Sequence, residues 1–316
     1  MNKIIKVSSS NKILPATNPQ DYIPAWVEHL QLRVEAGEIS QDTAHGYQRG
    51  AMKFLSWIKE NPTSDGIRKW KAHLLKSNKS SSVNQWLAGV KAFFKWLFET
   101  KQIPYNPAAL IQGAPHKGNK RHTRQPFTNT EVKRILAGPD RTTTEGKRDY
   151  AFLALMAYTA DRTIESHRAN IEDFRTEHRK MVLAVQGKGR TEKDEILILP
   201  HQAETAIRDW LAVRKASSNA LFTSLSRRSS GKRLSRRALR MIGNKYIRAA
   251  GIFDKNKTIH SLRHAAITSA IQHHAPIEKV RGMSRHESLS TVMIYYHEVD
   301  RIEDPAEDYI DYGEEG

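Results

Sequence analysis

The sequence His260-Ser261-Leu262-Arg263-His264, in the last third of the chain, places two imidazoles and a guanidinium close together. It is followed by His286 and, nine residues further on, by the adjacent pair Tyr295-Tyr296. Arginine and histidine side chains bind phosphate oxygens, and a tyrosine hydroxyl becomes a nucleophile once its proton is removed. This stretch therefore predicts a site at which a phosphate ester is attacked covalently without a metal.

Two groups upstream have the same chemical character. Arg162 precedes Glu165 by three residues, and Gly187-Lys188-Gly189 separates two strand-like runs. Two arginines can hold the nonbridging oxygens of a phosphate with their planar forks while negative charge accumulates in the transition state. We predict that Arg162 and Arg263 form this pair.

The net charge indicates the kind of partner. The chain of 316 residues has 51 lysines and arginines against 34 aspartates and glutamates, a formal charge of +17. A polyanion is the expected partner, and nucleic acid fits best. Residues 298–316 hold nine acidic residues and one arginine, a net −8 that leaves +25 on residues 1–297. This acidic tail either keeps a basic protein soluble, or screens the basic surface or docks on a neighbour, and both interpretations stay open.

The composition excludes several classes of protein. The chain has no cysteine, which excludes disulfides, thiolate zinc sites and cysteine nucleophiles. The histidines outside the phosphate site lack a nearby carboxylate cluster, so we predict neither a catalytic metal nor a cofactor. The sequence has no run of about 18 apolar residues and no signal peptide. We therefore expect a cytoplasmic protein of a bacterial cell, associated with the chromosome and with no membrane partner.

Composition and periodicity divide the chain into five segments. Residues 1–20 are polar and predict a flexible lead-in. Residues 21–111 show helical periodicity and predict a helical domain. Residues 112–126 form a basic linker, residues 127–297 form a catalytic domain, and residues 298–316 are the acidic tail.

The first domain is predicted to be helical throughout. Helices are expected from Asp21, over Ser40–Glu60 and Ser64–Lys76, and after Ser80-Ser81-Ser82, whose hydroxyls are candidates for capping. An apolar stripe on the fourth helix comprises Val83, Leu87, Val90, Phe94 and Leu97. Core packing is also expected for the aromatic residues of this helix, which are Trp86, Phe93, Phe94, Trp96 and Phe98. The basic residues that we expect to contact DNA phosphates, rather than only solvent, are Lys91, Lys95, Lys117, Lys120, Arg121 and Arg124.

The second domain is predicted to combine helices with a small antiparallel sheet. Thr128 and Glu131 have the spacing of a capping box at its first helix. Strands are expected at Met181–Val185 and Glu195–Leu199, joined by a tight hairpin. Further helices are expected at Arg148–Thr159, His201–Lys215, Ser235–Ala249, Leu262–His273, Ile277–Met283 and Ser290–His297. The predicted fold class is therefore mainly α with a small antiparallel β-sheet, an α+β fold.

Together these motifs resemble the catalytic domain of tyrosine recombinases, the phage-integrase and Xer-like family. The resemblance covers residues 21–316 and implies a helical, SAM-like core-binding domain followed by a catalytic domain, closing around DNA as a clamp. It implies that the catalytic residues are Arg162, Lys188, His260, Arg263, His286 and Tyr295, with Glu165 in a supporting role.

The resemblance also selects one of the two adjacent tyrosines. In the family the nucleophile lies nine residues after the second histidine, which here is His286, and that position is Tyr295. Adjacent residues on a helix point about 100° apart, so only one of them can face the phosphate. We expect Tyr296 to have a packing role.

The resemblance assigns the proton transfers to three residues. His260 and His286 are implied to hydrogen-bond the phosphate and to manage protons around the tyrosine. Lys188 is implied to be the general acid that protonates the departing 5′ oxygen, with Lys193 as a substitute. The two glycines around Lys188 are equally typical of an ordinary turn.

The sequence departs from the family pattern at two places. The family usually has Thr-Gly-Leu before its first arginine, whereas this chain has Thr159-Ala160-Asp161. The residue before the second histidine is usually glycine, and here it is Arg285. Both changes are expected to affect the geometry of a turn or the affinity for phosphate.

The resemblance implies a site-specific recombinase that cuts and rejoins double-stranded DNA through a 3′-phosphotyrosyl intermediate. It further implies a homotetramer on paired DNA sites, and leaves open whether the protein is a monomer in solution. The implied role is integration, excision or resolution of a mobile element or replicon, and an accessory or partner recombinase stays an open alternative. Two alternatives stay open. One is a type IB topoisomerase, which uses similar residues, and the other is a DNA-binding regulator with a relict site.

Overall fold

The structure is a computed structural model that describes residues 18–59, 62–115, 125–187, 192–215 and 218–303, with side chains as far as residue 296. The chain divides into two compact units, Met1–Asn119 and Lys120–Gly316. Among the described residues, no helix combines the length and the apolar character that crossing a lipid bilayer requires.

The first unit is a bundle of helices. A 3₁₀ turn at Pro19–Tyr22 leads into α1 (Ile23–Glu35), α2 (Gln41–Trp57), α3 (Ser64–Leu75) and α4 (Ser80–Glu99). The apolar stripe predicted on α4 is buried along its whole length, as its three- and four-residue spacing requires. Close contact of α2 and α4 depends on Gly50 and Gly89, since a Cβ at either position would overlap the main chain of the facing helix.

Two predictions for α4 differ from the structure. Lys79 is the N-cap, and Ser80, Ser81 and Ser82 lie inside the first turn, so the predicted capping role of these hydroxyls is wrong. Phe98 is largely exposed, whereas core packing was expected for the aromatic residues of this helix. Successive residues of an α-helix point about 100° apart, and Phe98 directly follows the buried Leu97. The side chain of Phe98 therefore points away from the core.

The second unit packs helices around a three-stranded antiparallel sheet with the order β1-β2-β3. Its strands are β1 (Phe174–Glu177), β2 (Lys180–Val185) and β3 (Glu195–Ile198). Its helices are α5 (Asn129–Ala137), α6 (Thr144–Thr159), α7 (Thr163–Arg168), α8 (His201–Val213), α9 (Arg236–Ala249), α10 (His260–Gln272), α11 (Ile277–Ser284) and α12 (Leu289–Glu303). The predicted fold class, mainly α with a small antiparallel sheet, is confirmed.

Local signals explain where these elements begin. Thr128 and Glu131 form the predicted capping box at the start of α5. Thr143 caps α6, which begins four residues before the predicted Arg148. The helix α10 begins at His260, two residues before the predicted start, and this places His260 and Arg263 on one helix.

Candidate active site

The first arginine of the site is positioned by the turn between α6 and α7. Ala160 ends α6 in the left-handed conformation with φ of 52°, and this reverses the chain so that Arg162 becomes the N-cap of α7. The amide of Arg162 donates to Oε2 of Glu165 over 2.9 Å, and its Nη1 donates to Oε1 over 2.6 Å. The predicted supporting residue Glu165 is thus in contact with Arg162.

Glu165 is fully buried and remains ionised. Burial by itself raises the pKa of this carboxylate. The charge of Arg285, a hydrogen bond from Asp161 and the charge of Arg162 act in the opposite direction and lower the pKa to about 2. A carboxylate that stays charged in the interior can hold guanidinium groups in fixed positions.

The second arginine, Arg263 on α10, is also buried. It donates to the carbonyl oxygens of Ala160 and Ser284, and its Nη2 lies 3.2 Å from Nε2 of His286. Arg162 reaches the same turn, since its Nη2 donates to the carbonyl of Arg285 over 2.8 Å. The structure therefore brings Arg162, Arg263 and His286 together around residues 284–286.

The site has an excess of positive charge. Burial, followed by the charges of Arg162 and Arg285, lowers the pKa of Arg263 to about 9. A group whose cationic form is disfavoured by neighbouring cations is stabilised when an anion binds beside it. The cluster is thus electrostatically prepared for an anion such as a phosphate.

His286 is held by contacts on both ring nitrogens. Its Nδ1 lies 3.0 Å from Oγ of Ser284, while Nε2 faces Arg263. The ring of Tyr295 stacks on the ring of His286, with 6.1 Å between the centroids. The predicted nucleophile and the predicted second histidine are therefore neighbours.

The hydroxyl of Tyr295 contacts a histidine that sequence reasoning did not select. It lies 2.6 Å from Nδ1 of His264, and both side chains are buried. His264 is next to His260, with 5.0 Å between the ring centroids. Residues four apart share one face of a helix, so the spacing of these two histidines was the signal that identifies His264 as part of the site. Tyr296 is partly exposed.

A pocket of about 300 Å³ opens beside these residues. Its lining consists of Arg162, Gly187, Glu195, Arg285, His286, Glu287, Ser288 and Thr291. The arginine, histidine and hydroxyl groups of this lining can donate hydrogen bonds to phosphate oxygens, whereas Glu195 and Glu287 cannot when ionised. Among the described residues no group of three or more histidines, aspartates or glutamates is arranged to hold a metal ion.

The predicted general acid, Lys188, lies outside the described residues. The preceding residue, Gly187, lines the pocket. Lys193, the predicted substitute, forms an ion pair with Asp173. Asp173 also accepts from the amide of Asn170, so this lysine belongs to a structural contact at the edge of the sheet.

The predicted DNA-contacting residues are only partly described. Lys95 is exposed and lies 3.6 Å from Glu99, and Lys91 is half-buried. The four linker residues Lys117, Lys120, Arg121 and Arg124 fall outside the described residues.

A further basic surface on α9 was not identified from the sequence. Arg237, Arg240, Asn244 and Arg248 are exposed at three- and four-residue spacing, so they occupy one side of the helix. The opposite side of α9 is buried in the core. The signal in the sequence was the density of arginines between Arg227 and Arg248.

Comparison with known proteins agrees with this geometry. Residues 125–301 match the model of the phage integrase family, and residues 23–101 match the model of the phage integrase N-terminal SAM-like domain. The chain therefore belongs to the phage integrase family and is a tyrosine recombinase, as the sequence motifs predict.

Individual relatives are similar over most of their length. The chain is 30% identical to the tyrosine recombinase XerD of Neisseria meningitidis, over 82% of this chain and 88% of that protein. It is 27% identical to the tyrosine recombinase XerC of Thermodesulfovibrio yellowstonii, over 89% of this chain and 93% of that protein. In fold it resembles the XerH site-specific recombinase bound to a palindromic difH substrate, with a TM-score of 0.72 and 16% identity over 95% of this chain and 99% of that one.

Proposed function

We propose that this protein cuts and rejoins double-stranded DNA at specific paired sites, and that Tyr295 forms the covalent 3′-phosphotyrosyl intermediate. The observation that carries this proposal is the convergence of Arg162, Arg263 and His286 on one turn, with the ring of Tyr295 stacked against His286. The excess positive charge of this cluster is suited to a phosphodiester, which gains negative charge as it is attacked.

The chemistry follows from the positions of these groups. The scissile phosphate binds beside Arg162, His286 and Arg263, which neutralise its nonbridging oxygens. Oη of Tyr295 attacks phosphorus, the bond from phosphorus to the 5′ oxygen breaks, and Lys188 supplies the proton for that oxygen. The phosphotyrosyl ester has an energy similar to that of the bond it replaces, so a 5′ hydroxyl can reverse the reaction without ATP.

The tyrosine must change its position before it attacks. In the structure its hydroxyl is buried against His264. We propose that binding of DNA releases the hydroxyl from this contact, and that His260 and His264 accept and return its proton.

DNA binding is assigned to both units. The helical segment 21–111, the basic linker 112–126 and the exposed side of α9 supply positive charge for phosphate contacts. We further propose a homotetramer on two DNA sites in the cytoplasm of a bacterium, serving a mobile element or replicon.

Covalent trapping tests the proposal directly. A pool of nicked DNA duplexes with a randomised core is incubated with the protein, and covalent complexes are recovered after denaturation in detergent. The wild-type protein and Tyr296→Phe should yield complexes, whereas Tyr295→Phe should yield none. Absence of a complex with the wild-type protein would contradict the proposal.

A second assay separates strand exchange from relaxation. The trapped sequence is placed twice on a supercoiled plasmid, and the products are separated on a gel. Recombinant circles support the proposed exchange, whereas relaxed plasmid alone indicates a topoisomerase.

A further inference from the structure

Arg285, which stands where the family usually has glycine, is turned into the interior of the site. It occupies the left-handed conformation at the end of α11, with φ of 52°. Its side chain is 4% exposed. Nη2 donates to Oε2 of Glu165 over 2.7 Å and to the carbonyl of Ala160 over 3.1 Å, and Nη1 donates to the carbonyl of Met283 over 2.6 Å. One guanidinium thus joins the turn before α7, the buried carboxylate and the turn after α11.

Two partners of Arg285 are also partners of a phosphate-site arginine. Glu165 accepts from both Arg285 and Arg162. The carbonyl of Ala160 accepts from both Arg285 and Arg263. In turn, the main-chain carbonyl of Arg285 accepts from Arg162. Movement of the Arg285 side chain would therefore disturb the anchoring of both other arginines.

The second departure from the family, Asp161, lies in the same cluster and is fully buried. Burial, and then the negative charge of Glu165, raise the pKa of Asp161 well above its usual value. Oδ2 accepts from Ser166, Oδ1 has no hydrogen-bond partner within the described part of the chain, and the raised pKa favours the neutral form of Asp161. Glu165 is thus the charged carboxylate that Arg162 and Arg285 share.

We propose that Arg285 is a positioning residue that holds Arg162 and Arg263 in their phosphate-binding geometry through the contacts that it shares with them at Glu165 and Ala160. This inference rests on the proposed function for its kinetic consequence. Arg285 is assigned no contact with the reacting atoms, because its Nη donors are directed to Glu165 and to main-chain carbonyls, and Nε lies 3.7 Å from Oε2 of Glu195.

Single-turnover trapping on the nicked DNA pool measures this role. Arg285→Met should slow formation of the covalent complex about 10²-fold, since small displacements of positioning groups have effects of that size. The DNA dissociation constant should change little, because many other phosphate contacts determine it. Arg285→Lys, which keeps a cation beside Glu165, should recover most of the rate. The matched control Arg281→Met, on α11 just before Arg285 and paired with Glu278 at the surface, should retain the wild-type rate.

A wild-type rate in Arg285→Met, or equal losses of rate and of DNA affinity, would overturn the positioning role.

Hydrogen exchange provides a readout that needs no DNA. Arg285→Met should accelerate amide exchange in residues 162–166 and 284–286, and Arg285→Lys should restore protection. Unchanged exchange in both segments would overturn the inference even if the wild-type protein formed no covalent complex. If exchange changes as expected but the wild-type protein forms no covalent complex with DNA, the proposed function is contradicted and the positioning role is not.

Discussion

The hydroxyl of Tyr295 lies 2.6 Å from Nδ1 of His264, and both groups are buried. A buried hydroxyl that loses its partner keeps its full desolvation penalty, whereas removal of both polar groups is nearly neutral. The pair therefore stabilises the resting position of Tyr295, the proposed nucleophile, on α12.

We predict that His264→Leu lowers the free energy of unfolding by about 1–3 kcal/mol, because the buried tyrosine hydroxyl loses its hydrogen bond to Nδ1 of His264. In His264→Leu/Tyr295→Phe the loss should be smaller than the sum of the two single losses. Urea denaturation of the four proteins measures both quantities. Additive losses would show that the two side chains do not interact.

A second prediction concerns the buried carboxylate of Glu165. Its pKa is about 2 in the folded protein against a usual value of 4.5. The ionised carboxylate therefore stabilises the folded protein at pH values above the usual pKa, and this contribution is lost as the pH falls toward 2. Glu165→Gln should cost about 3–5 kcal/mol at neutral pH, since it leaves buried arginines without their anion.

The cost of Glu165→Gln should shrink when unfolding is measured at progressively more acidic pH. Glu145→Gln is the matched control, because Glu145 pairs with Lys245 at the surface and should contribute less than about 1 kcal/mol. A cost for Glu165→Gln that is independent of pH would contradict the assigned ionisation.

The left-handed turn at Ala160 leads to a third prediction. Glycine there relieves about 1–2 kcal/mol of strain. Glycine also lowers the free energy of unfolding by about 0.4–1 kcal/mol, because it makes the unfolded chain more flexible. Loss of the buried methyl group lowers it by about a further 0.8 kcal/mol. Ala160→Gly should therefore change the free energy of unfolding by less than about 1 kcal/mol.

Ala160→Val is the informative comparison for this turn. A branched side chain in a fully buried, left-handed position should cost more than about 2 kcal/mol. Thermal denaturation of both variants measures the difference, and equal stabilities would show that the turn adapts freely.

The elements of the fold that repeat an apolar period were predictable from the sequence. The three- and four-residue spacing of apolar residues predicted the buried stripe on α4, and a short run of apolar residues predicted the strand β2. Two short elements, α7 and β1, were not predicted. The helix α7 spans only Thr163–Arg168 and is fixed by the Arg162 turn and Glu165, and β1 contributes four residues that depend on pairing with β2.

Site residues that belong to a short sequence motif were predictable, whereas those whose place in the site depends on tertiary contacts were not. The spacing of Arg263, His286 and Tyr295 indicated a phosphate site, and the structure brings them together. The contact of His264 with the tyrosine depends on how α12 packs on α10, which spacing does not specify. The inward direction of Arg285 likewise depends on a buried carboxylate more than a hundred residues upstream.

The basic side of α9 leads to the last prediction. Each arginine that neutralises a DNA phosphate releases counterions, so binding weakens as salt increases, and the logarithmic slope counts the phosphates contacted. Arg237→Gln and Arg240→Gln should each reduce that slope by about 1. Arg208→Gln should leave the slope unchanged, since Arg208 on α8 is paired with Glu204. Fluorescence anisotropy with labelled duplex DNA over a series of salt concentrations measures all three slopes. If the α9 variants keep the wild-type slope while Arg208→Gln reduces it, the DNA lies against a different face of the second unit.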